Sequence, residues 1–116
     1  MKRILFVDDD DTFQIIMQHL AEMNGVKADK CYDPSSAMAM LEYDGYDAVF
    51  VDQRLPDMPG TELIKILSEK YPKLDFYLVT NYPKDSLGGS FENLKIKGFI
   101  DKHYLSERMR EVLHAG

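Results

Sequence analysis

The chain has one cysteine, Cys31, and no tryptophan among its 116 residues. A lone cysteine cannot form an internal disulfide, so the fold does not rest on the disulfide framework of small secreted domains. Long hydrophobic runs are also missing, because the first apolar run, residues 4–7, meets acidic residues after four positions. That run is too short for a signal peptide or for the roughly 20 apolar residues of a membrane span. We therefore expect a cytoplasmic domain without membrane contact.

Positive charge is scarce as well. Fourteen Lys and Arg residues face twenty Asp and Glu residues, which leaves a formal net charge of −6. Proteins that bind nucleic acid without sequence preference neutralise phosphates with basic side chains, so this balance argues against direct nucleic-acid binding. The hydrophobic fraction of 45% is ample for a buried core. We expect one domain over residues 1–116.

The most informative segment is an apolar run that ends in consecutive carboxylates. Residues 4–7 are Ile-Leu-Phe-Val, and residues 8–11 are all Asp. A short run of bulky apolar residues is typical of a buried parallel strand, whose carboxyl end is where open α/β sheets place their ligands. Like charges packed there repel one another unless a cation is present, and an all-oxygen set suits Mg²⁺. The segment therefore predicts a Mg²⁺ site.

Strand and helix patterns alternate along the rest of the chain, with short connections. This alternation predicts an α/β fold, with a parallel sheet and helices on both of its faces. Asp11 is the expected N-cap of the first helix, and Asp33-Pro34 opens the second. The predicted strands cover residues 3–7, 26–32, 48–51, 76–79 and 99–100, and the predicted helices cover 12–24, the stretch between 33 and 45, 61–71, 84–95 and 104–114.

Residues with phosphoryl-transfer chemistry stand where apolar strands end. In a parallel sheet these positions converge on one rim. Paired acids can hold Mg²⁺, a further carboxylate can act as a nucleophile, and a hydroxyl and a lysine can bind phosphoryl oxygens. The residues at these positions are Asp8, Asp9, Asp52, Thr80 and Lys102.

At these positions the chain resembles the receiver domain of two-component response regulators, over essentially its whole length. The resemblance implies a flavodoxin-like, doubly wound (βα)5 fold with strand order 2-1-3-4-5. Five motifs carry it, in family order: Val7-Asp8-Asp9, Val51-Asp52 with the loop from Leu55 to Gly60, Val79-Thr80, Gly98-Phe99, and Lys102.

The resemblance implies a role for each matched residue. Asp52 would accept a phosphoryl group from a sensor histidine kinase or a histidine phosphotransfer protein. Asp9 and Asp52 would bind Mg²⁺ directly, Asp8 through water, and Arg54 through its main-chain carbonyl. Thr80 and Lys102 would bind the phosphoryl oxygens.

The resemblance also implies an output. Thr80 and Phe99 would form the conformational switch, read by a downstream effector or a fused output domain at the surface of the fourth helix, fifth strand and fifth helix. A homodimer through that surface is left open, as is whether the chain is a stand-alone regulator or a domain of a longer protein. The domain would not be an enzyme beyond catalysing its own phosphorylation and slow dephosphorylation.

The sequence departs from the family pattern in several places. His103 follows Lys102 where the family usually has proline, so we expect a trans peptide bond or a strained exception there, with a risk that Lys102 is displaced. Arg54 and Tyr82 are bulky beside the path of the hydrolytic water, which suggests slow dephosphorylation. Gly88-Gly89 weakens the predicted fourth helix.

Two alternatives remain from the sequence. A degenerate receiver would serve as a phosphorylation-independent interaction module. A haloacid-dehalogenase-like phosphohydrolase would use residues 8–12, which fit the motif D-x-D-x-T. The second alternative lacks an acidic pair after Lys102 and leaves Asp52 unexplained.

Overall fold

The computed structural model describes residues 1–81 and 94–114. It contains one sheet of five parallel strands: β1 (Arg3–Val7), β2 (Lys27–Cys31), β3 (Ala48–Asp52), β4 (Asp75–Thr80) and β5 (Gly98–Asp101). Their order across the sheet is β2-β1-β3-β4-β5, which places β3 at the centre between β1 and β4. This topology confirms the predicted doubly wound fold.

The helices follow the predicted spacing to within a few residues. They are α1 (Asp11–Met23), α2 (Pro34–Tyr43), α3 (Gly60–Lys70) and α4 (Leu105–His114), with a 3₁₀ turn over Lys102–Tyr104 before the last. None of the helices in the described ranges combines the length and apolar character that a bilayer crossing requires. The helix predicted over 84–95 falls almost entirely on residues 82–93, outside the described residues, as do Tyr82 and Gly88-Gly89.

Alternate strand residues supply a core on each face of the sheet. Ile4, Phe6 and Phe50 belong to a buried cluster completed by α1 and α4. Leu5 and Val7 belong to the second cluster, completed by α2 and α3. Because side chains along a strand point to opposite faces, continuous apolar runs such as residues 4–7 fill both layers at once. The central strands are thereby buried on both faces, with their carboxyl ends at one rim.

The start of α1 differs from its prediction. Asp10 is the N-cap instead of Asp11, and its carboxylate accepts hydrogen bonds from the backbone N–H groups of Thr12 and Phe13. Each of the consecutive aspartates has a carboxylate that can cap a helix, so the position at which β1 ends decides which of them becomes the N-cap. The cap position places Asp8 and Asp9 in the loop ahead of the helix.

Candidate functional site

The carboxyl ends of β1, β3, β4 and β5 surround a cleft of about 430 Å³. The predicted residues Asp8, Asp9, Asp52, Thr80 and Lys102 all line it, so the structure brings them together as the strand pattern implied. Arg54 lines it too. The remaining lining residues come from the loops after β1, β3 and β4 and from the start of α1: Asp10, Phe13, Leu55, Pro56 and Asn81.

Asp8 is the most deeply buried of the acids, with no exposed surface. Its backbone N–H donates to the carbonyl of Cys31 over 2.9 Å, which extends the β1–β2 pairing by one residue. One carboxylate oxygen accepts from the N–H of Asp10 over 2.9 Å. The other lies 2.7 Å from Nζ of Lys102. The side chain is therefore fixed from both sides.

Asp52 ends β3 and is 5% exposed. Its Oδ1 lies 2.9 Å from Nζ of Lys102, and its Oδ2 accepts from the N–H of Arg54 over 3.1 Å. Gly60, at the start of α3, packs directly beneath it, because a Cβ atom at that position would overlap the carbonyl oxygen of Asp52. The glycine thus lets α3 approach the strand end that carries Asp52.

Lys102 bridges the two buried carboxylates, and its own side chain is only 4% exposed. It follows β5 directly as the first residue of the 3₁₀ turn. The described residues contain no cis peptide bond, so the bond to His103 is trans, as expected. The exposed His103 has not displaced the lysine. Instead, Asp101 accepts from the His103 N–H over 2.9 Å and lies 2.7 Å from its Nδ1, which closes the turn outside the cleft.

Four aspartates line the cleft, against the two basic side chains of Lys102 and Arg54. Burial raises the pKa of Asp52 to about 6, and the charge of Asp8 adds to this, although the hydrogen bond from Lys102 opposes it. Burial likewise raises the pKa of Asp8 above its usual value, against the pull of Lys102. Both shifts have one cause: carboxylates removed from water are harder to ionise unless positive charge compensates fully.

The donor set fits a hard divalent cation. One oxygen from each of Asp8, Asp9 and Asp52 lies within 4.8 Å of the others, and Asp9 is exposed at the mouth of the cleft. Oxygens on opposite sides of a bound Mg²⁺ are about 4.2 Å apart, so small side-chain movements would bring these three into its coordination shell. All-oxygen ligands favour Mg²⁺ over metals that prefer nitrogen or sulfur.

The two predicted switch residues lie on adjacent strands. Thr80, which is 1% exposed, ends β4 and lines the cleft. Phe99 lies in β5 beside Leu78 and packs, half-buried, against the core cluster on the α2–α3 side of the sheet. The two residues therefore sit on neighbouring strands of one sheet edge, and their switching roles stay a prediction.

Sequence reasoning missed Gln14, which is 2% exposed. Its side-chain Nε2 lies 3.0 Å from the carbonyl of Phe6, 2.9 Å from that of Asp8 and 2.7 Å from that of Cys31. The amide ties α1 to the ends of β1 and β2, directly behind the acids. Its helical spacing to Met17 and Ala21, both buried, was the available signal.

The structure does not favour the phosphohydrolase interpretation of residues 8–12. The second carboxylate of the D-x-D-x-T motif, that of Asp10, is engaged as the N-cap of α1.

Comparison with known families identifies a different class of protein. A family model described as the response regulator receiver domain matches residues 4–114. The chain belongs to the response regulator receiver domain family. That match agrees with the resemblance carried by the five motifs.

Among curated relatives, the receiver domain is 31% identical over 72 residues to the aerobic respiration control sensor protein ArcB of Escherichia coli (strain K12), which covers 62% of this chain and 9% of ArcB. It is 34% identical over 67 residues to the sensory transduction protein RegX3 of Mycolicibacterium smegmatis, covering 58% of this chain and 29% of RegX3. The chain thus corresponds to less than a third of the length of these relatives.

Solved structures agree on the fold. A CheY-like response regulator receiver domain from Methylobacillus flagellatus has a TM-score of 0.86 and 28% identity, covering 99% of this chain and 98% of that one. The response regulator TrrA from Thermotoga maritima, solved in complex with Mg(2+)-BeF, has a TM-score of 0.88 at 22% identity, with 99% and 98% coverage.

Proposed function

We propose that Asp52 is the phosphoacceptor of this receiver domain, in a Mg²⁺-dependent reaction with a phosphohistidine of a sensor histidine kinase or histidine phosphotransfer protein. One observation carries the proposal. The buried carboxylates of Asp8 and Asp52 share the single ammonium of Lys102, at 2.7 and 2.9 Å, with the carboxylate of Asp9 beside them. Four aspartates line the cleft against the two basic side chains of Lys102 and Arg54, so net negative charge remains where a cation and a phosphoryl group would bind.

Asp9 and Asp52 would hold Mg²⁺ directly, Asp8 would hold it through water, and Arg54 would add its main-chain carbonyl. When bound, the ion supplies charge neutralisation for the phosphoryl oxygens. TrrA, a fold neighbour, was solved in complex with Mg(2+)-BeF, which agrees with proposing a Mg²⁺ site in this fold.

The reaction would begin with attack of a carboxylate oxygen of Asp52 on the phosphorus of the donor. The P–N bond breaks, the acyl-phosphate O–P bond forms, and the donor imidazole, already protonated at its other nitrogen, leaves as the neutral ring. Lys102 would move from the Asp52 oxygen to a phosphoryl oxygen, a shift of its charge over a short distance. Thr80 would donate its hydroxyl to another phosphoryl oxygen.

Movement of Thr80 toward the phosphoryl group would let Phe99 turn inward behind it. That change would shift the population of a two-state surface on the β5 side of the sheet. A downstream effector, or an output domain joined to residues 1–116, would read the surface, and the names of the relatives, a sensor protein and a sensory transduction protein, agree with such a setting. A cytoplasmic location and an absence of turnover beyond self-phosphorylation and slow autodephosphorylation complete the proposal, and homodimerisation stays open.

Intact-mass measurement tests the chemistry. The protein is incubated with Mg²⁺ and a small phosphoryl donor such as acetyl phosphate, beside an Asp52→Asn variant and a sample with chelator. We expect one phosphoryl adduct that needs both Asp52 and Mg²⁺, located on Asp52 by borohydride reduction and peptide mapping.

Other results would decide against this function. Folded protein without any adduct would favour the phosphorylation-independent interaction module. An adduct that persists in Asp52→Asn and maps to Asp8 would favour phosphohydrolase-like chemistry. The decay of the adduct, compared between the wild type and an Arg54→Ala, Tyr82→Ala variant, tests slow dephosphorylation, which predicts faster loss in the variant.

A further inference from the structure

Lys102 has a third neighbour that the receiver chemistry does not require. Its ammonium lies over the ring of Phe13, with Nζ 3.8 Å from the ring centroid. A cation this close to an aromatic face is attracted by the negative potential of the ring, and the attraction is strongest where water is excluded. The 4% exposure of the lysine side chain meets that condition.

The ring is itself held in place. Phe13 lies in the first turn of α1 and packs, partly buried, against the core cluster shared by α1 and α4. Its backbone N–H donates to Asp10, whose own N–H donates to Asp8. Hydrogen bonds therefore connect Phe13, the start of α1 and Asp8 into one unit.

The ring face restricts the positions that the Lys102 ammonium can take. The lysine side chain has four rotatable bonds, and the next residue is His103, which leaves the backbone freer than proline would. The two carboxylates that bind it do not both persist through the reaction, because Asp52 is the group that becomes phosphorylated. The carboxylate of Asp8 and the ring of Phe13 are then the contacts that hold the ammonium.

We propose that Phe13 is a positioning residue for Lys102, and that its ring face holds the ammonium where it meets the incoming phosphoryl group. The inference rests on the proposed phosphoryl transfer to Asp52. Phe13 contacts neither the phosphoryl group nor the metal in this scheme, and it acts through the lysine alone.

A graded electronic change separates this role from packing. Replacing Phe13 by mono-, di- and trifluorinated phenylalanine keeps the ring shape and weakens its negative face in steps. We expect the rate of phosphorylation by acetyl phosphate to fall with each fluorine, to about tenfold below wild type in Phe13→Leu. Phe13→Tyr, which keeps the ring, should stay within about twofold.

The Mg²⁺ dissociation constant provides the second readout. It should stay within about twofold of wild type across the series, because Lys102 is not a metal ligand. Ile16→Ala, one turn along the same face of α1, is the matched control for lost apolar contact and should change neither quantity. A merely structural role would instead lower metal affinity and phosphorylation together, and it would not follow the number of fluorines.

Proton NMR tests the contact without any chemistry. Ring current should move the Lys102 ε-methylene signals upfield in the wild type, and Phe13→Leu should return them to ordinary values. Signals without this shift in the wild type, or a phosphorylation rate indifferent to fluorination, would overturn the inference. If the wild type forms no adduct, the function proposed above fails, and an unshifted lysine would show separately that the ring contact fails too.

Discussion

The two ends of the sheet carry the same kinds of charged residue but balance them in opposite ways. At the amino end, Arg3 pairs with Asp29 at 2.6 Å and with Asp44 at 3.4 Å, and its guanidinium lies 4.8 Å from the ring centroid of Tyr46. At the carboxyl end, Lys102 pairs with Asp8 and Asp52, and Asp9 adds a further carboxylate. At each end, therefore, one basic side chain pairs with two aspartates.

The pKa shifts run in opposite directions. Burial acts to raise the pKa of Asp29, but hydrogen bonds from Tyr46 and Arg3 outweigh it, so the net pKa lies below the usual value. In the cleft, burial outweighs Lys102, and the pKa of Asp52 rises to about 6. At the amino end the ionised carboxylate of Asp29 is therefore stabilised by its existing partners. At the carboxyl end the ionised carboxylate of Asp52 is destabilised, so added positive charge would stabilise the fold. Charge that is costly in the resting fold is charge available for binding.

The largest effect is expected when the basic side chain is removed from the carboxyl end of the sheet. In Lys102→Met we expect phosphorylation by acetyl phosphate to fall by about 100-fold or more, because a preorganised charge on the transferring group is lost. Lys97→Met, at an exposed lysine just before β5, is the control and should react like the wild type. Stopped-time intact-mass spectra measure both rates. A Lys102→Met rate close to that of the control would show that the bridge is only structural.

One substitution made at both ends sharpens the comparison. Without Mg²⁺ at pH 8, Asp29→Asn should lower the free energy of unfolding by about 1–2 kcal/mol, because a charge-assisted hydrogen-bond network is lost. Asp52→Asn should raise it by about 1–3 kcal/mol, since the ionised carboxylate is disfavoured there. Urea denaturation gives both values. The same sign for both variants would contradict opposite electrostatics at the two ends.

The pH dependence follows from the raised pKa of Asp52. Its folded-state pKa of about 6 lies above the ordinary value of 3.8, so the folded protein binds a proton that the unfolded chain does not bind between these values. The stability of the wild type should therefore rise as pH falls through 6 toward 4, relative to Asp52→Asn, and the gap between the two should close. A gap that stays constant from pH 8 to pH 4.5 would be evidence against the raised pKa.

The smallest effect is expected outside the cleft. Asp101 is at the carboxyl end of the sheet, but it engages the exposed His103 and not the acids. Asp101→Ala should change the phosphorylation rate by less than about threefold, because Lys102 keeps its buried partners. A loss as large as that of Lys102→Met would mean that the turn after β5, and not the cleft, governs the position of the lysine.

The strand ends could be predicted from sequence because a parallel sheet converts one-dimensional order into proximity. Asp8, Asp52, Thr80 and Lys102 each follow an apolar run, and the topology gathers such positions at one rim. The N-cap was wrong by one residue, since every aspartate of residues 8–11 can cap a helix.

The supporting contacts could not be predicted in the same way. The helical spacing of Gln14 to Met17 and Ala21 favours burial, but the three strand-end carbonyls around its amide come together only in the folded chain. The contact between Phe13 and Lys102 joins residues that are distant in the chain, through side-chain rotamers that no periodicity encodes. The hydrogen bond from the His103 N–H to Asp101, which closes the turn without proline, likewise depends on the local backbone conformation.

An NMR titration with Mg²⁺, followed by beryllofluoride, tests the central claim most directly, since backbone amide signals report on both ends of the sheet together. The account predicts saturable shifts at Asp9, Asp52 and Lys102, no saturable shift at Arg3 or Asp29, and loss of the response in Asp52→Asn. Shifts that do not saturate, or that are as large at Arg3 and Asp29 as in the cleft, would contradict the assignment of the unbalanced charge to a cation and phosphoryl site.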